Sequence, residues 1–162
     1  MGENYRKAAI FFAGCREGTS VDCSESQFLN TLLSVRLLLD THTFLWWLDG
    51  DRRMSRKLRQ LIADDSNSVY VSSASVWEIT TKARLGRLPE ATAVAVDVPA
   101  AMTSQGFLDL SITAVHAQRA GSLPGPHRDP FDRMLIAQAQ VEGMPIASND
   151  VAFDHYQIAR IW

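Results

Sequence analysis

The chain has 162 residues, 46% of them apolar and 21% charged, with a net charge near −2. That length suits one domain with an ordinary buried core, and no apolar run reaches the ~18 residues of a membrane span. The charge balance excludes a uniformly basic nucleic-acid binder; without a secretory h-region after the first twelve residues, a cytoplasmic protein with no membrane association is expected.

Residues 1–34 lack sustained periodicity, and residues 14–26 are dominated by small, polar and charged side chains. They read as a poorly ordered extension, or as a start codon set too far upstream, ahead of one domain over residues 35–162. Both cysteines, Cys15 and Cys23, fall here in no metal-binding spacing. Residues 35–39 are nearly all apolar, as in a buried parallel strand, and lead into Asp40. Residues 43–48 predict a short helix stopped by Asp49-Gly50. Ser55 is placed to cap a helix running to about Ala63, with Leu58, Leu61 and Ile62 on one face. A strand over 69–72 precedes a helix over 74–85, which has Gly86 at its C-terminal cap and Pro89 beyond. A helix over 99–105 closes at Gly106, followed by a strand over 107–110 and a helix over 113–120. Asp129-Pro130 opens a helix to Glu142, ended by Gly143, and strands over 145–148 and 158–162 complete the chain. Strands alternating with helices argue for an α/β fold: three layers, α/β/α, around a central, mostly parallel sheet with right-handed crossovers. In such sheets ligands collect at the carboxyl ends of the strands, near the switch in strand order.

Four acidic residues occupy such places. Asp40 follows the first strand, Glu78 lies early in the helix after the second, Asp132 is in the first turn of the helix from Asp129, and Asp150 follows the fourth strand. The proposed winding brings all four to one edge. Two carboxylates ~4 Å apart repel by ~4 kcal/mol at an effective dielectric near 20, so four raise their own pKa values or recruit a cation. Oxygen-only ligands favour Mg²⁺ or Mn²⁺ over zinc. Each residue also has a local alternative. Asp40 is placed to cap the following helix, and Ser75-Val76-Trp77-Glu78 has the spacing of a capping box. Asp129 before Pro130 is an N-cap arrangement, Asp132 suits the helix dipole, and Asp150 suits a turn.

The combination is more specific than any member. Val35-Arg36-Leu37-Leu38-Leu39-Asp40-Thr41-His42, followed by Ser72-Ser73-Ala74-Ser75-Val76-Trp77-Glu78, resembles the opening motifs of PIN-domain nucleases. The stretch from His127 to Ala139 resembles the third acidic motif of a bacterial branch of that family. Ile146-Ala147-Ser148-Asn149-Asp150, with Phe153 and Tyr156 after it, resembles the fourth. The resemblance implies a PIN-like fold and a Mg²⁺- or Mn²⁺-dependent endoribonuclease that cuts RNA. It further implies the toxin half of a VapBC-type toxin–antitoxin pair, a homodimer held by a VapB-type antitoxin. By the same resemblance Asp40, Glu78, Asp132 and Asp150 inherit the acidic, metal-binding and catalytic roles, and Ser148 stands where the family often has a Ser or Thr near the metal site. Family members usually begin just before the first strand, so residues 1–34 depart from the pattern.

Other readings stay open beside it. A haloacid-dehalogenase-like phosphatase also begins with Asp after an apolar strand, but it carries a second Asp two residues later, where this chain has His42. A noncatalytic PIN-like module would bind RNA or protein without cutting. His42, His116, His127 and His155 lack zinc-site spacing and read as structural or exposed. Trp46 and Trp47 are expected in core or interface. Arg128 and Arg133 flank Asp132, where they could meet phosphate, while Asp129 and Arg133 have i,i+4 spacing. Two basic runs, one with Arg52, Arg53, Arg56, Lys57 and Arg59, the other with Lys82, Arg84 and Arg87, read as solvated helix faces.

Overall fold

A computed structural model of the chain describes residues 34–125 and 127–162. The extension expected over residues 1–34 lies outside the described residues, apart from Ser34.

Leu37, Leu38 and Leu39 make up most of β1 (Arg36–Leu39) and are all buried. Side chains of a strand alternate between faces. Leu37 and Leu39 accordingly join one core cluster and Leu38 the other. A strand buried on both faces needs cover on both. On the first face, α1 (Thr41–Asp49), α2 (Arg56–Ala63) and α3 (Ser73–Arg84) contribute Phe44, Leu58 and Ile79, and α4 (Val98–Ser104) contributes Met102. On the second, α5 (Ala114–Ser122) and α6 (Pro130–Glu142) contribute Ala120, Leu135 and Ile136. The expected three-layer α/β/α architecture results.

The remaining strands are β2 (Ser68–Ser72), β3 (Leu108–Leu110), β4 (Ile146–Ala147) and β5 (Arg160–Ile161), in the spatial order β3-β2-β1-β4-β5. Every pairing in this sheet is parallel. The chain leaves β1 toward β2 and β3, then returns to β4 on the other side of β1. Strand order therefore reverses between β1 and β4, and a crevice opens at their carboxyl ends.

Helix ends follow the sequence signals closely. Ser55 Oγ accepts a hydrogen bond from the Leu58 N–H at the start of α2. Gly50 and Gly143 end α1 and α6 in the left-handed region, at φ 64° and 62°. The first helix begins at Thr41, two residues before its expected start, because the Asp40 carbonyl already accepts from the Phe44 N–H at 2.9 Å. Thr113 caps α5 through the His116 N–H, and the His116 ring accepts from the Thr113 N–H in return. Short 3₁₀ turns at Pro89–Ala91, Val94–Val96 and Val151–Tyr156 were not expected; they are too brief for a hydrophobic period to register. Gln138 sits fully buried in α6, where its side chain accepts from Ser72 Oγ and donates to the Leu110 carbonyl at 3.2 Å. No helix among the described residues is long and apolar enough to cross a membrane.

Candidate functional site

The end of β1 delivers Asp40 to the crevice. Its backbone N–H donates to the Ala147 carbonyl of β4 at 3.0 Å, which fixes it beside the chain leaving β4. Asp40 occupies the N-cap position of α1, yet its side chain makes no capping bond. Oδ2 instead accepts from Ser148 Oγ at 2.8 Å. The same hydroxyl accepts from the Asp150 N–H at 3.1 Å, so Ser148 couples the first acidic position to the last. Burial pushes the Asp40 carboxyl up and the Glu78 charge adds to that, against the Ser148 hydrogen bond and His42.

The capping box that the Ser75–Glu78 spacing left open does not form. Ser72, three residues earlier, caps α3 through the Ala74 N–H at 2.9 Å, because β2 passes into the helix without an intervening loop. Ser75 and Glu78 then lie inside the helix, and both are buried. The Thr41 hydroxyl donates to Glu78 Oε2 at 2.6 Å and lies 2.9 Å from Ser75 Oγ. Oε1 of Glu78 pairs with the Lys82 ammonium. Residues reached from both strand ends thus hold the Glu78 carboxylate on each oxygen.

Two carboxylates come from the start of α6. Asp129 Oδ1 accepts from the Phe131 N–H at 2.8 Å as the N-cap, and Oδ2 lies 3.8 Å from Lys82 Nζ. Asp132, in the first turn, has no capping partner. Burial, then the charges of Asp129, Asp40, Glu78 and Asp150, push its carboxyl up to about 7. His127 Nδ1 lies 3.3 Å from Asp132 Oδ2, and its ring packs against Phe153 and Tyr156. The loop before it passes so close to Tyr156 that a Cβ at Gly125, φ 116°, would meet the phenol oxygen at 2.7 Å. Asp150 Oδ1 accepts from the Ala152 N–H at 2.8 Å, so its turn role is present too.

Asp40, Glu78, Asp132 and Asp150, with Asp129, line one open cleft of about 420 Å³. All four carboxylates singled out from the sequence are brought together there. No three His, Cys, Asp or Glu side chains among the described residues form a preformed metal cage. The donor set nevertheless fits a hard divalent cation: it is all oxygen, and burial together with the neighbouring negative charges lifts the Asp132 carboxyl to about 7.

The i,i+4 ion pair open to Asp129 and Arg133 does not form; the Arg133 guanidinium donates to the carbonyls of Ala120, Leu123 and His127, pinning the loop before α6. Trp46 is buried against Trp162, as a core residue should be, and Trp47 Nε1 donates to Gln105. His116 is buried, whereas His42 and His155 are exposed. Thr41 and Lys82 are site residues the sequence reading passed over. The i,i+4 spacing of Glu78 and Lys82 was the available signal for Lys82; nothing local marks Thr41.

The PIN-domain family model matches residues 37–159. Ribonuclease VapC16 of Mycobacterium tuberculosis is 38% identical over 68 residues, covering 41% of this chain and 48% of the relative. The chain thus spans about half the length of that curated relative. Among solved structures, VapBC2 from Rickettsia felis bound to a DNA fragment from its promoter has a similar fold. Its TM-score is 0.59 at 14% identity, over 78% of this chain and 98% of that one. FitAB bound to a DNA fragment gives 0.52 at 17% identity, over 77% and 93%.

Proposed function

This chain belongs to the PIN-domain family, and from that premise we propose that it is a divalent-metal-dependent endoribonuclease, the toxin of a VapBC-type toxin–antitoxin pair. The observation that carries the reading is the convergence of Asp40, Glu78, Asp132 and Asp150 on one cleft at the reversal of strand order. The ribonuclease name of the mycobacterial relative supports RNA as substrate. The likeness in fold to VapBC2 of Rickettsia felis supports a VapB-type antitoxin as partner, and a homodimer is part of the same proposal.

Asp40, Asp132 and Asp150 would hold Mg²⁺ or Mn²⁺, with Glu78 completing the shell or orienting the attacking water. When bound, such an ion supplies Lewis acidity, drawing charge from the scissile phosphate and making water a better nucleophile. The chain's own contribution is orientation. Ser148 fixes Asp40 Oδ2 and the Asp150 backbone, and Thr41 fixes Oε2 of Glu78, whose other oxygen pairs with Lys82 in the metal-free protein. Burial strengthens the field these carboxylates make in the cleft. Asp40 and Asp132, whose carboxyls are both pushed up before any cation enters, are groups whose charge state a cation would change. No covalent intermediate is required.

Expression of this chain alone should arrest bacterial growth within one or two doublings. Co-expression of a VapB-type antitoxin, if a short adjacent reading frame encodes one, should restore it, and Asp40→Asn should be harmless at the same protein level. Growth unaffected by abundant, folded wild-type protein would count against the toxin role.

A further inference from the structure

The basic run Lys82, Arg84 and Arg87 does not behave as one solvated face. Arg84 and Arg87 are exposed, whereas Lys82 is partly buried and lines the acidic cleft. Its ammonium pairs with Glu78 one turn earlier in α3. It also lies 3.8 Å from Asp129 Oδ2 on α6 and 5.7 Å from the centre of the Phe131 ring.

A Glu–Lys pair four residues apart on a helix is ordinarily a weak surface contact. Three observations set this one apart. Glu78 is only 4% exposed, so its charge has little water to stabilise it. The second carboxylate within reach comes from a different helix, which an i,i+4 pair does not need. Lys82 is also the sole lysine or arginine among the described residues lining a cleft that carries five carboxyl groups.

We propose that Lys82 is the resident counter-ion of this cleft, holding the acids together in the metal-free protein and yielding its place when a divalent ion binds. The inference rests on the metal-dependent reading above. Its physical content is a conflict of signs. A buried carboxylate left without a partner is costly, so the ammonium stabilises the metal-free fold. The same positive charge repels a divalent ion entering the same acids, so it weakens metal binding. A lysine that only fastened α3, or only positioned Glu78 as a ligand, would produce the first effect without the second.

The test compares wild type, Lys82→Met and Lys82→Arg by calorimetric titration with Mn²⁺ and by thermal melts in EDTA. Lys82→Met should melt at a lower temperature without metal, yet bind Mn²⁺ about tenfold more tightly, on the order expected for losing one nearby positive charge. Lys82→Arg should stay near wild type in both. In the wild-type protein, amine labelling of Lys82 read by mass spectrometry should rise severalfold when Mn²⁺ is added, with exposed Lys57 as the unchanging reference. Unchanged or weaker Mn²⁺ binding by Lys82→Met overturns the proposal, as does labelling of Lys82 that ignores Mn²⁺. If Lys82→Met does not fold, the wild-type labelling decides. Failure of the wild type to bind Mn²⁺ at all would instead remove the metal-dependent reading, and this inference with it.

Discussion

Asp129 and Asp132 stand one turn apart on α6, and their carboxyl groups have different partners. Asp129 closes the helix through the Phe131 N–H, a bond that Asn makes about as well. Asp129→Asn should therefore cost little stability and keep much of the RNA cleavage. Asp132 has no such bond and carries the raised pKa. Burial and the surrounding acids hold its carboxyl at about 7, against ~3.9 for an unfolded chain. A group whose folded pKa is the higher one binds protons more tightly when folded. Its contribution is full below the unfolded value and is lost as pH rises from about 4 through about 7. In metal-free protein, Asp132→Asn should accordingly melt above wild type at pH 8, by on the order of 1 kcal/mol, and the gap should close toward pH 5. The same variant should lose nearly all Mn²⁺-dependent cleavage. Melts in EDTA at the two pH values, with cleavage rates in Mn²⁺, check both halves; a variant less stable than wild type at every pH would contradict the charge argument.

At the scale of elements, the sequence locates most helices and strands to within a residue or two. Apolar runs and capping residues are local signals: Ser55, Asp129 and the glycines after α1 and α6 act where they stand. The start of α3 shows where such reading ends. Ser75 and Glu78 have capping-box spacing, but β2 enters the helix directly, and Ser72 takes the cap. That shift by three residues frees Glu78 for the cleft. The partner that holds it, Thr41, lies 37 residues away in sequence, so no local pattern could reveal it. Gln138 is hidden for the same reason, because its partners lie on β2, at the end of β3 and just after it. Ser72→Ala should cost about 1–2 kcal/mol, since it removes a cap and leaves the Gln138 carbonyl oxygen unpaired. Ser75→Ala should cost less, because Thr41 keeps its bond to Glu78. Denaturant melts of the two variants read the difference, and the reverse order would restore the capping box.

For the whole molecule, the four carboxylates are legible in the sequence because Asp40 and Asp150 follow strands, while Glu78 and Asp132 lie in helices that begin at the same end of the parallel sheet. Their convergence depends on strand order, which reverses between β1 and β4. Asp40 and Ser148 meet there across a separation of 108 residues. The charge placed in the cleft is likewise a property of the assembled fold: Lys82 belongs to it only because α3 and α6 face each other across the opening. The central claim is that this acidic cleft cuts RNA with the help of a divalent ion. The most direct measurement is cleavage of a single-stranded RNA by purified protein across a Mn²⁺ titration, with wild type and Asp40→Asn side by side and both checked for folding by thermal melts. Wild type should cut only when Mn²⁺ is present and stop on adding EDTA, while Asp40→Asn, folded and at least as stable without metal, should fall at least about 100-fold, the scale of removing a group that orders the reacting centre. Equal cleavage by the two proteins, or cleavage indifferent to EDTA, would contradict it.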